Sequence, residues 1–200
     1  MRRLTYVQTI ALGFFTVIAA GTILLMLPAA SQSGKATGFV TALFTAVSAS
    51  CVTGLVLVDT ATYWTGFGQA VILLLIQLGG LGFMTIATLF SRLVRRRMSM
   101  RERGVMAESI NTVRVGRILE ITTTIGLGTL IFEGTGALLL AIRFIPEFGL
   151  GQGIWYSVFH SVSAFCNAGF DLLGQSGSPY PSLTGYAADP VINLTIMLLI

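Results

Sequence analysis

No charged residue interrupts Leu4–Gly34, and none interrupts Thr60–Ser91. The apolar bodies of these stretches run from about Val7 to Leu27 and from about Ala70 to Phe90. About 20 consecutive apolar residues are enough to cross the hydrocarbon of a bilayer. A third apolar run, from about Ile118 to Ile142, carries Glu133 in its interior, and a fourth begins near Pro190. The expected fold class is therefore an all-α membrane protein, because a spanning helix satisfies its backbone polar groups internally. The fourth run is still apolar at Ile200, which predicts that these 200 residues belong to a longer polypeptide.

Composition closes off the soluble classes. Only 10% of residues are charged and 54% are hydrophobic, with a mean hydropathy of +0.84. A soluble domain carries about 25% charged residues to coat its surface. The net charge of +4 would suit nucleic acid, but the arginines crowd beside apolar runs with no aromatic-interleaved basic face. No nucleic-acid partner is expected; the lipid bilayer is. Two cysteines are too few for a disulfide framework. The first run is too long and too uniformly apolar for a signal peptide.

Two further stretches, Phe39–Val58 and Gly151–Phe170, are apolar enough to raise the question whether they span. Positive charge decides it. Arg2 and Arg3 precede the first run, and Arg92, Arg95, Arg96, Arg97, Arg101 and Arg103 follow the second. Lys and Arg near span ends collect on the cytoplasmic side. If Phe39–Val58 dips in and returns, both clusters are cytoplasmic, and only Lys35 and Arg143 lie outside. Composition agrees. Phe39–Val58 mixes in Thr41, Thr45, Ser48, Ser50, Thr53 and Gly54, and Gly151–Phe170 holds His160, Ser161, Ser163, Asn167 and Gly169. A helix over Phe39–Ser50 would be about 18 Å long, reaching roughly the middle of the hydrocarbon layer.

An internal repeat supports the same division. FTAVSASCVTGL (Phe44–Leu55) and FHSVSAFCNAGF (Phe159–Phe170) lie 115 residues apart and agree at six of twelve positions, including both cysteines and Gly54 with Gly169. The shift carries the first run onto the third and the second onto the fourth. The chain thus reads as parallel helix–pore loop–helix repeats. The first covers residues 1–94, a cytoplasmic basic linker covers 95–116, and the second covers 117–200.

A short helix descending from outside points its negative end at the membrane centre, which favours a cation. The residues that follow, Cys51-Val52-Thr53-Gly54 and Cys166-Asn167-Ala168-Gly169, are expected to be extended and to turn carbonyls inward. Such carbonyl rings replace the hydration shell of potassium. Glycine suits the last position because it accepts backbone angles closed to other residues. Asp59 and Asp171 lie just beyond on the outer side. They either concentrate cations at an outer mouth or are solvated loop carboxylates.

The blocks SASCVTGLVLVDT, ILLLIQLGGLGFMTIATLF, EGTGALLLAIRF and SVFHSVSAFCNAGFDL resemble the Trk/Ktr/HKT superfamily of cation transporters. The likeness is greatest to the membrane subunit of bacterial Ktr-type potassium uptake systems. The resemblance implies four repeats around a single pore, a homodimer, and a cytoplasmic nucleotide-binding regulatory ring that carries the ligand site. It implies potassium as the transported ion and no cofactor in this chain, any nucleotide being bound by the regulatory partner. With the spans and arginines above, the expected location is the cell membrane, multi-pass, with a cytoplasmic N-terminus. In this superfamily a glycine in every filter goes with potassium selectivity and a serine in the first filter with sodium passage; Gly54 and Gly169 both match the potassium pattern. The alternative is a sodium or mixed monovalent cation transporter of the same superfamily. The superfamily's gating loop in the third repeat and its arginine in the fourth have no counterpart here.

Other polar residues have competing readings. Cys51 and Cys166 are expected to be free buried thiols rather than a disulfide or metal pair. Glu133, expensive in lipid, is expected to find a structural partner in the bundle, with ion coordination as the alternative. His160 stands where the first repeat has Thr45, and reads as a hydrogen-bonded packing histidine rather than a pH sensor. Gly79, Gly80 and Gly82 are read as small residues that let helices approach, with Gln77 as an interhelical hydrogen bonder. Met98–Val115 reads as a solvated connector or as a docking surface for the regulatory ring. An intramembrane enzyme would need paired acids, a Ser/His dyad or a metal cluster, and His160 is the sole histidine.

Overall fold

A reciprocal cap starts the first helix: the Thr5 hydroxyl accepts from the Gln8 backbone N–H at 3.3 Å, and the Gln8 side-chain oxygen Oε1 accepts from the Thr5 N–H at 3.0 Å. The computed structural model describes residues 5–82, 85, 118–174 and 182–200. Among these the regular elements are helices, joined by one isolated bridge between Ser31 and Trp64. We number them α1 (Tyr6–Met26), α2 (Phe39–Ser50), α3 (Thr60–Tyr63), α4 (Gly66–Gly80), α5 (Ile118–Phe148), α6 (Leu150–Phe165) and α7 (Pro190–Leu199). Helix α1 stops at Leu27, whose extended backbone precedes Pro28, as a pre-proline residue is sterically pushed out of the helical region. Helix α7 opens with Asp189 as cap and Pro190 in the first turn, where the missing N–H costs nothing.

Val7–Met26 and Ile121–Phe148 are long and apolar enough to cross a membrane, with mean hydropathies of 2.2 and 1.8. Leu12, Phe15, Leu130, Leu138 and Ile142 on these helices are more than half exposed, as suits a face turned to lipid. Helix α2 spans the expected Phe39–Ser50. Helix α4 ends at Gly80, and Gly82 turns the chain with φ +75°. The expected continuation of that run to Phe90, the arginines from Arg92 to Arg103 and the linker 95–116 lie outside the described residues.

Lipid tails are as apolar as leucine, so helices in a membrane associate by close packing and interhelical hydrogen bonds rather than by burial from water. Both devices are present. Ala42, Ala46 and Ala49 form a fully buried stripe on α2. A Cβ on Gly21 of α1 would stand 2.7 Å from the Leu75 side chain of α4, and one on Gly79 would run into the Ser50 carbonyl oxygen at the end of α2. Around these contacts Leu25, Trp64, Ile72 and Ile76 are buried in the first half, and Leu140, Phe144 and Phe159 in the second, in one continuous cluster.

Candidate functional site

The ends of α2 and α6 repeat each other bond for bond. After α2, the N–H groups of Cys51, Val52 and Thr53 donate to the carbonyls of Val47, Ala49 and Ser48 at 2.8, 3.3 and 3.0 Å. After α6, those of Cys166, Asn167 and Ala168 donate to Val162, Ala164 and Ser163 at 2.9, 2.8 and 2.7 Å. The dihedrals repeat too: φ is +51° at Val52 and +54° at Asn167, +71° at Gly54 and +72° at Gly169.

The four-residue segments are therefore not extended, which corrects the expectation from sequence. The helix-end carbonyls recruit the next three N–H groups and fold the chain back over the helix terminus. In a trans peptide the C=O lies opposite the following N–H. Carbonyls of Cys51, Val52, Cys166 and Asn167 accordingly point away from the helix ends. Glycine at the last position is explained by its left-handed backbone. The left-handed Val52 was not anticipated, since a β-branched residue seldom adopts positive φ. Its counterpart Asn167 was the available signal, because asparagine tolerates that region.

Tertiary packing brings the two segments into contact at their glycines. A Cβ on Gly54 would stand 2.8 Å from the Ala168 carbonyl oxygen and 3.2 Å from Gly169 Cα. Serines at matching positions brace both segments. Ser48 Oγ lies 2.9 Å from Thr53 Oγ1, and Ser163 Oγ donates to the Phe170 carbonyl at 2.7 Å. Thr45 Oγ1 donates to the Thr41 carbonyl four residues back at 2.9 Å. His160 makes the matching bond from Nδ1 to the Tyr156 carbonyl at 2.7 Å, and its Nε2 accepts from the Leu172 N–H at 3.3 Å. Those partners define the neutral, Nδ1-protonated ring, and they make His160 a bonded packing residue that ties the chain after Gly169 to α6.

Asp59 and Asp171 each have a local role. Asp59 caps α3, accepting from the Thr62 N–H and hydroxyl, both at 2.7 Å, and its carboxylate packs on Gly174 of the second half. Asp171 accepts from the Leu173 N–H at 3.0 Å. Burial pushes the Asp171 carboxyl above its ordinary range; the Leu173 N–H opposes this and the nearby charge of Asp59 adds to it.

Glu133 has the bundle partner expected of it: Gln77 Nε2 donates to both carboxylate oxygens, at 2.9 and 3.1 Å. The two cysteines are free as expected, but neither is fully buried, which corrects the expectation. Cys166 is covered by Gln77 and Gly80 of α4, whereas Cys51 stands exposed. Gln69 was missed from sequence. It is buried on α4, donates to the Trp64 carbonyl at 3.1 Å and accepts from Trp155 Nε1 of α6 at 2.8 Å, joining the two halves. An uncharged amide inside an apolar run was the available clue. Among the described residues no group of three His, Cys, Asp or Glu side chains suits a metal ion.

Spanning-length apolar helices packed about two matched short helices define a helical membrane protein. Residues 4–200 match the TrkH family of cation transport proteins, and the chain belongs to it; this is a family of ion transporters and not a class of enzymes. The chain is 47% identical over 175 residues to the potassium/sodium uptake protein NtpJ of Enterococcus hirae, covering 88% of this chain and 39% of that protein. It is 42% identical over 197 residues to the Ktr system potassium uptake protein B of Bacillus subtilis, covering 98% and 42% respectively. Against the Ktr system potassium uptake protein B of Vibrio alginolyticus it is 35% identical over 189 residues, covering 94% and 40%. The chain thus spans about two fifths of the length of these relatives.

Proposed function

We propose that this chain supplies part of a potassium uptake pore in the cell membrane, with α2 and α6 as re-entrant pore helices. Residues Cys51–Gly54 and Cys166–Gly169 line the ion path with their carbonyls, and Asp59 and Asp171 stand at its outer mouth. The observation that carries this reading is the repeated backbone of the two segments, with glycine at the same left-handed position and the segments abutting there. Conserving backbone angles while Val52-Thr53 and Asn167-Ala168 differ in side chain is what a carbonyl-built site requires. Two touching segments supply only neighbouring sectors of a ring. Further repeats in the full-length polypeptide complete it.

The relatives' names include both potassium uptake and potassium/sodium uptake, so sodium passage is the second reading. Glycine rather than serine at position 54 favours potassium. We place the N-terminus and Arg92–Arg103 in the cytoplasm, following the distribution of arginines. A homodimer served by a nucleotide-binding regulatory ring follows from the Ktr resemblance. The test is rubidium uptake into liposomes by the full-length protein, competed with potassium and with sodium. Competition by potassium far below the sodium concentration that matches it supports the reading. Equal competition selects the mixed-cation alternative, and no flux rejects both.

A further inference from the structure

We propose that Glu133 is a positioning residue for the second ion-path segment, acting through Gln77 on Cys166; this rests on reading Cys166–Gly169 as part of the pore.

An ionised carboxylate only accepts hydrogen bonds. Gln77 turns its NH2 group toward Glu133 and donates to both carboxylate oxygens, at 2.9 and 3.1 Å. That leaves Gln77 Oε1 on the opposite side, facing the Cys166 thiol at 3.9 Å, a weak but oriented S–H bond. Cys166 is the C-cap of α6 and begins the segment. The same glutamate holds α6 further back, where its backbone carbonyl accepts from Ser161 Oγ at 2.6 Å. Both contacts need absent side chains. A Cβ on Gly80 would stand 2.5 Å from Cys166 Sγ, and one on Gly136 2.6 Å from Ser161 Oγ.

The first half lacks this arrangement. At the repeat-related positions stand Ile18 for Glu133 and Ala46 for Ser161. Packing alone thus accepts an apolar residue at this place in the repeat. An acid here carries the expense of a carboxylate in a span, and what distinguishes its surroundings is the oriented amide under the second segment.

The test compares wild type, Glu133→Gln, Gln77→Met and the double variant in the full-length protein, with Arg143→Gln as a control for a remote ion pair. Rubidium uptake competed by potassium and sodium gives the preference ratio, measured on protein that elutes as a single folded peak. Glu133→Gln keeps the shape of the side chain but lets the facing amide invert. Each single variant is expected to lower the potassium preference about fivefold, and the double to lower it no further than the worse single, as for residues in one relay. Arg143→Gln should lose thermal stability with its preference intact. Unchanged preference in the two folded single variants, or losses that add in the double, would overturn the inference alone. Absence of rubidium flux through the wild type would overturn the pore reading and the inference with it.

Discussion

Gly169 occupies the space that a side chain on Gly54 would need. The Cβ of any other residue at 54 would stand 3.2 Å from Gly169 Cα and 2.8 Å from the Ala168 carbonyl oxygen. The two segments are therefore coupled through backbone, and a change in one displaces a carbonyl of the other.

Gly54→Ser is expected to impair ion choice more than Asp59→Asn. A residue other than glycine in the left-handed region costs roughly 1–2 kcal/mol, here added to the contact with Ala168. A fall in potassium over sodium preference of roughly tenfold corresponds to that scale. In the proposed pore Asp59 would act at a distance through the field, so its neutral variant should mainly reduce the uptake rate at low salt. Competition uptake on both variants measures this; equal preference in wild type and Gly54→Ser would remove Gly54 from the ion path.

Two glycines to alanine should behave oppositely. At Gly79 the added methyl runs into the Ser50 carbonyl oxygen, a backbone group that cannot rotate away, and overpacking of this kind costs roughly 1–3 kcal/mol. At Gly128, inside α5, nothing lies within 4 Å of the new atom, and alanine gains roughly 0.5–1 kcal/mol of helix preference. Melting of the purified protein should fall for Gly79→Ala and hold or rise for Gly128→Ala.

His160→Leu removes the acceptor of the buried Leu172 N–H. An unsatisfied buried donor costs roughly 1–3 kcal/mol, so the variant should melt earlier than wild type. His160→Gln restores an acceptor on a side chain of similar reach and should recover part of the loss. Equal melting of all three proteins would show that the bond to Leu172 is not made.

The pair of Arg143 and Asp189 gives a pH signature. Arg143 Nε lies 2.6 Å from Asp189 Oδ2 and Nη2 2.5 Å from it. Desolvation raises the Asp189 carboxyl, but the Ile192 N–H, the Arg143 guanidinium and the Val191 N–H outweigh it, holding it below its ordinary 3.8. A depressed acid stabilises the fold fully above that ordinary value, and the contribution is lost as pH falls through the folded one. Arg143 is half exposed, so water screens the pair and its effect is modest. Asp189→Asn should melt below wild type at about pH 6, with the gap closing toward about pH 3. A gap that is constant with pH would show that the charge of the Asp189 carboxylate does not stabilise the fold.

Much of this was legible in the residues. Helix α2 falls on Phe39–Ser50 as read, because the apolar run meets the cysteine–glycine motif there. The interhelical role of Gln77 follows from an amide in an apolar run, and the close approach at Gly79 and Gly80 from the absence of side chains. The backbone of Cys51–Gly54 was not legible. An extended reading fits valine and threonine propensities, and the left-handed Val52 arises only because three helix-end carbonyls capture the next three N–H groups. Burial of the cysteines was not legible: Cys166 is only partly covered and Cys51 is exposed, because coverage depends on which helix lies alongside rather than on the repeated sequence.

By itself the sequence determined the class and the periodicity. Apolar length sets which segments can live in a membrane, and matched residues 115 positions apart set where the chain repeats. These are local properties, carried by composition and order along the chain. Only the tertiary structure decided which polar groups meet. The Gln77–Glu133 bond, the Gln69–Trp155 bond and the contact of Gly54 with Gly169 each join residues from different halves of the chain. Such pairings depend on how helices rotate and slide against one another. That is settled by the summed fit of small residues at Gly21, Gly79 and Gly80, which no single stretch of sequence contains.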